Sequence, residues 1–128
     1  MRRDARVVAF QLIFEKLFTT QNEYDEEFIS SLKKSEDMDF AKQILSAFTE
    51  HYSEIQALVE KNLVGYELPR VYRADLALIY LAITEMKYVG TPAGVVINET
   101  LEIAKAYSTE KSAKFINGVL SSIVKGDK

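Results

Sequence analysis

Three arginines crowd the start of the chain. Arg2 and Arg6 are four residues apart and Arg3 and Arg6 three, so on a helix they project to neighbouring positions. Guanidinium groups suit phosphate oxygens and can stack on bases. Near the other end Lys111 and Lys114 flank Phe115. A ring between two cations is a stacking platform for an unpaired base, although the same Phe115 also opens a helical apolar stripe, which is the spacing of a core residue. The net charge of −3 hides this segregation: residues 1–16 carry +2, residues 105–128 carry +3, and residues 20–60 carry −7. If the two ends meet in space they form a basic face on an acidic protein, and such a face attracts polyanions. If they do not, they are solvated charge at two termini.

Other chemistry has little to work with. His51 is the single histidine, so no multi-histidine metal site is possible and a surface or capping role is expected for it. There is no cysteine, which excludes disulfides, thiolate zinc sites and a cysteine nucleophile and suits an intracellular, cytoplasmic setting. Glycines 65, 90, 94, 118 and 126 make neither a phosphate loop nor a dinucleotide fingerprint. Glu26-Glu27 and Glu36-Asp37 sit in polar runs, as solvated faces or helix caps do. Glu85 interrupts the buried-looking "LAITEMKYV", where a structural ion pair or a backbone hydrogen bond would satisfy it. No catalytic residue, metal ligand or cofactor is assigned, and what remains is binding.

The elements that must position these residues are helices. The chain of 128 residues is 48% hydrophobic and 27% charged, the composition of one ordinary globular domain. Asp4, Gln11 and Glu15 break any signal-peptide core. The most apolar run, Leu76 to Ile83, is far short of the ~20 residues that span a bilayer, so no membrane is expected. Apolar spacing predicts six or seven helices and no strand. The first, about Arg3 to Thr19, is apolar almost all round and is therefore central or lends a face to a partner. Helices follow over Glu23 to Lys33, over the stripe of Phe40, Ile44, Leu45 and Phe48, and from Ser53 through Leu63. "GYELPR" punctuates the chain, and Tyr72 to Tyr88 reads as a buried central helix. Thr91-Pro92 has the form of an N-cap followed by proline at the first helical position. The last helix begins near Thr109 or Ser112 and ends before Gly126. Within it Gly118 costs roughly 1 kcal/mol against alanine, an expense expected to let this helix approach a neighbour closely, with Asn117 hydrogen-bonding across the contact.

Four segments, "RRDARVVAFQLIF", "LALIYLAITEM", "TPAGVVINETLEIAK" and "SAKFINGVL", occur in this order over nearly the whole chain. Together they resemble the NusB family of transcription antitermination factors. The Pro…Val-x-Ile-Asn-Glu and Phe-Ile-Asn-Gly-Val-Leu segments are specific. The resemblance implies an all-α domain of two packed helical bundles, with subbundles at about 1–64 and 65–128, and no catalytic activity. It implies an RNA-binding regulator that, with the ribosomal protein NusE, binds the boxA element of ribosomal RNA operon leaders. Together with other Nus factors, such a regulator helps RNA polymerase read through terminators. The family's basic N-terminal segment falls on Arg2, Arg3 and Arg6, and its RNA-contacting aromatic falls on Phe115. Phe14 stands where a tyrosine is common, so a hydroxyl contact to RNA is lost there, and Tyr80 and Thr84 replace a common arginine and tyrosine. The candidate RNA-binding set is thus Arg2, Arg3, Arg6, Phe14, Lys111, Lys114 and Phe115. The competing reading is a helical protein–protein adaptor or homodimer, in which the first helix serves a partner and the charged termini are merely solvated.

Overall fold

The computed structural model describes residues 2–17, 26–65 and 67–126. These form seven α-helices: α1 (Arg2–Lys16), α2 (Glu26–Ser30), α3 (Ser35–Glu50), α4 (Tyr52–Lys61), α5 (Arg73–Thr84), α6 (Ala93–Tyr107) and α7 (Glu110–Gly126). A 3-10 turn at Leu68–Arg70 precedes α5, and a π-helical turn at Glu85–Val89 extends it. No strand occurs among the described residues. The expected reach of the first helix to Thr19 and the expected start of the second at Glu23 lie outside them.

The hub is α5, of which every residue from Ala74 to Thr84 is buried. It packs against α1, α3, α4, α6 and α7, which is why its sequence shows no polar face. Two contacts fix the direction of α1 along it. Arg6, near the start of α1, reaches Glu85 just past the end of α5. Arg73, at the start of α5, donates through Nη1 to the carbonyl of Leu17 at 2.9 Å. The two helices are therefore antiparallel. The apolar girth of α1 is explained by this position, since it packs on both α3 and α5 and buries Ala5, Val8, Ala9, Phe10, Leu12 and Ile13.

Several boundaries differ from expectation for identifiable reasons. The helix expected over Tyr72 to Tyr88 changes pitch at Glu85, whose carbonyl accepts the N–H of Gly90 five residues on, at 3.0 Å. Gly90 then ends the element in the left-handed region, at φ 88°. Pro92, not Thr91, is the N-cap of α6, with an extended ψ of 139°. Thr109 caps α7, its Oγ1 accepting the N–H of Ser112 at 3.1 Å, and this helix runs through Gly126 instead of stopping before it. His51 closes α3, donating its backbone N–H to Ala47, and its ring stacks on Tyr88 at 3.8 Å.

The expectation for Gly118 is overturned. It is exposed, and a Cβ built on it meets nothing within 4 Å, so it enables no close helix approach. Asn117 is exposed as well and accepts only from Ser121, one turn along the same helix, at 3.4 Å. The face of α7 that packs inward is instead Ser112, Ile116, Val119, Leu120 and Ile123, leaving position 118 on the opposite side.

Candidate nucleic-acid interface

The three N-terminal arginines occupy three different environments. Arg6 is 5% exposed. Its Nε and Nη2 donate to the two carboxylate oxygens of Glu85 at 2.7 and 2.6 Å, which satisfies the carboxylate that interrupts the apolar run of α5. The hydrogen bond to Glu85 raises the Arg6 pKa against the opposing effect of burial. Arg3 is exposed and makes the same bidentate fork to Glu99 of α6, at 3.1 and 2.8 Å. The hydrogen bond and charge of Arg3 hold the Glu99 carboxyl below its usual range. Glu99 also lies 3.6 Å from Nη1 of Arg6, so the four side chains form one alternating network. Arg2 is exposed, with its guanidinium 4.6 Å from the centroid of Phe40. Sequence spacing grouped Arg2, Arg3 and Arg6 as one outward patch. The structure turns Arg6 inward because it is the one of the three whose position faces the buried Glu85.

Phe115 lies at the start of α7, partly buried against the core. It lines an open cleft of about 220 Å³ together with Arg70, Val71, Tyr72, Asp75, Lys111 and Ser112. Phe115 is thus a core-packed side chain that also borders an open cleft. Tyr72 is 63% exposed, and Arg70 and Lys111 are exposed as well. At the floor, Asp75 accepts the hydroxyl of Ser108 at 2.7 Å. The cleft therefore offers two aromatic rings and two cations, the composition of a site for an unpaired base and its flanking phosphates. Lys114 is exposed on the same helix turn but does not line the cleft. Arg70 and Tyr72 are not among the residues that the sequence singles out; the signal for their place beside the cleft is "LPRVYR", which interleaves cations and a tyrosine beside a proline turn.

The two basic groups do not merge. The arginine network sits at the Glu85 end of α5 and the cleft at its Asp75 end, ten residues apart, about 15 Å at 1.5 Å per residue. Between them along α1, Phe10 is edge-on to Tyr107 with centroids 5.5 Å apart and packs against Phe14 at 6.4 Å. Phe14 is partly buried, while Tyr107 is 46% exposed. Among the described residues no cluster of three or more His, Asp or Glu could hold a metal ion, and no helix is long and apolar enough to cross a membrane.

These features define an all-helical protein that exposes cations beside aromatic rings at a cleft between α5 and α7. The pattern that describes the NusB family matches residues 3–125, and the chain belongs to that family. It is similar to the transcription antitermination protein NusB of Finegoldia magna, 39% identical over 97% of this chain and 93% of that one. Among solved structures it is similar to NusB of T. maritima, with TM-score 0.87 and 29% identity over 98% of this chain and 91% of that one. It is also similar to a chain in a structure of the antitermination factors NusB and NusE in complex with dsRNA, with TM-score 0.89 and 27% identity over 98% of this chain and 96% of that one.

Proposed function

We propose that this protein is a cytoplasmic, non-catalytic antitermination factor that binds boxA-type RNA of ribosomal RNA leaders together with NusE. In this reading other Nus factors and RNA polymerase are engaged through that complex. The observation that carries the reading is the cleft in which Tyr72 and Phe115 stand beside Arg70 and Lys111, an arrangement suited to an unpaired base that a purely protein-binding surface does not require. The similar NusB chain found with NusE and RNA supports the choice of partners. Arg2 and Arg3 supply phosphate contacts at the far end of the same surface, and Phe14 and Tyr107 lie between the two ends. Arg6 positions α1 and does not touch the ligand.

The test is a fluorescence titration of a labelled single-stranded boxA-like RNA, with and without NusE, at two salt concentrations. Tyr72→Ala and Phe115→Ala should each weaken binding by about five- to a hundredfold with the salt slope unchanged, as loss of one stacked base does. Arg70→Ala should lower the log–log salt slope by about 0.7. Variants that melt like the parent yet bind RNA as well as it does, in the presence of NusE, would transfer the case to the adaptor reading.

A further inference from the structure

We propose that Glu99 is an affinity-setting latch for the RNA surface: it occupies the guanidinium of Arg3 in the free protein and releases it to an incoming phosphate, transferring its own remaining contact to Arg6. This rests on the RNA-binding reading above and adds a residue that neither the arginine spacing nor the aromatic cleft indicated.

The geometry supports an exchange of partners instead of a fixed clamp. Arg3 is the accessible member of the network, with half of its side chain exposed, whereas the side chains of Glu99 and Arg6 are 20% and 6% exposed. An anion arriving from solvent therefore meets Arg3 first. Its Nε and Nη2 donors both point at Glu99, so a phosphate that takes this edge of the guanidinium displaces that carboxylate to obtain the same bidentate geometry. Displaced, Glu99 is not orphaned. Nη1 of Arg6 is already 3.6 Å away, and it is the one nitrogen of that guanidinium not donating to Glu85. The Arg6–Glu85 fork, buried and bidentate, thus stays in place as the stator while Arg3 changes partner. Charge counting gives the same picture: two arginines and two glutamates in contact cancel, so the free protein presents less positive potential at this end than its sequence declares. The low Glu99 pKa caused by Arg3 agrees with a carboxylate that competes as an anion.

The experiment compares the parent, Glu99→Gln, Arg3→Ala and the double variant in the full-length protein, titrated with the same single-stranded RNA across a salt series. Glu102→Gln, one turn along α6, removes a negative charge that acts on Arg3 at longer range and pairs with Lys105 at 3.5 Å, and so separates loss of charge from loss of the fork. Glu99→Gln should tighten binding about two- to fivefold, the scale on which an exposed ion pair competes, and steepen the salt slope by about 0.7. The gain should vanish in the Arg3→Ala background and be clearly smaller in Glu102→Gln, whose effect on Arg3 is the weakest of those acting on it. Equal or weaker binding by a folded Glu99→Gln protein, or a gain that persists without Arg3, would overturn the latch while leaving RNA binding intact. Absence of binding by every protein, parent included, would overturn the RNA reading itself and the latch with it. Should Glu99→Gln melt early, Glu99→Asp decides instead: a shorter carboxylate that no longer spans to Arg3 should give the same Arg3-dependent gain, and failure to do so in a folded protein counts against the latch.

Discussion

At the scale of single residues, two glycines show how conformation and space decide the effect of one methyl group. Neither Gly90 nor Gly118 has an atom within 4 Å of a built Cβ, so packing is silent at both. Gly90 has φ 88°, where an L-residue costs about 1–2 kcal/mol. Gly118 is helical and exposed, where alanine is better by about 0.5–1 kcal/mol. Gly90→Ala should therefore lower, and Gly118→Ala raise, the free energy of unfolding in urea. A loss of stability on Gly118→Ala would mean that position 118 meets a surface within the protein after all. The opposite expectation drawn from sequence failed because helical periodicity shows that residue 118 lies in a helix but not that α7 packs through Ile116, Val119, Leu120 and Ile123 on its other side. Glu85 was better marked: a carboxylate inside an apolar run demands a partner wherever it is. Its partner, Arg6, is 79 residues away in sequence, and no local spacing connects them.

At the scale of elements, helices were legible because α3, α4, α6 and α7 carry a 3.6-residue apolar stripe, while α1 and α5 are apolar nearly all round and long enough to exclude a strand. Pitch changes were not: the π turn at Glu85–Val89 keeps apolar Met86, Tyr88 and Val89 packed on the core, so its composition resembles that of the α-helix it extends. Glu85, the first residue of that turn, lies beside the start of α1, and the Arg6–Glu85 fork fastens α1 to α5 at one end as Arg73 does at the other. Glu85→Ala should destabilise the fold by about 3–5 kcal/mol, since it leaves a buried guanidinium without its principal partner. Replacing Arg6 and Glu85 together by leucine should restore much of that loss, because a buried pair exchanged for apolar side chains is often neutral. A double variant as unstable as Glu85→Ala would show that the fork specifies the α1–α5 crossing as well as neutralising charge. The measurement is chemical denaturation followed by circular dichroism, read as the midpoint and slope of each variant.

At the scale of the whole molecule, the charge asymmetry of the sequence resolves into two cationic stations about 15 Å apart along α5, not one patch. The sequence correctly placed cations at both ends of the chain and an aromatic between lysines, but it could not give the distance between them, since that depends on α1 and α5 running antiparallel. It also could not show that α7 enters beside the start of α5, which brings Arg70 and Tyr72 to Phe115. A strand of RNA touching both stations makes contacts too far apart to share a partner, and changes at sites more than about 7–10 Å apart combine additively within about 0.3–0.5 kcal/mol. Arg2→Ala should then reduce affinity with a salt slope lower by about 0.7, Phe115→Ala should reduce it at constant slope, and the double variant should lose the product of the two factors to within about twofold. Phe115 also packs on the core, so each protein's binding must be corrected by its folded fraction from a melting curve. A double variant no weaker than the worse of the two single variants would mean that RNA engages one station alone, and the unchanged slope of one single variant would identify which station that is.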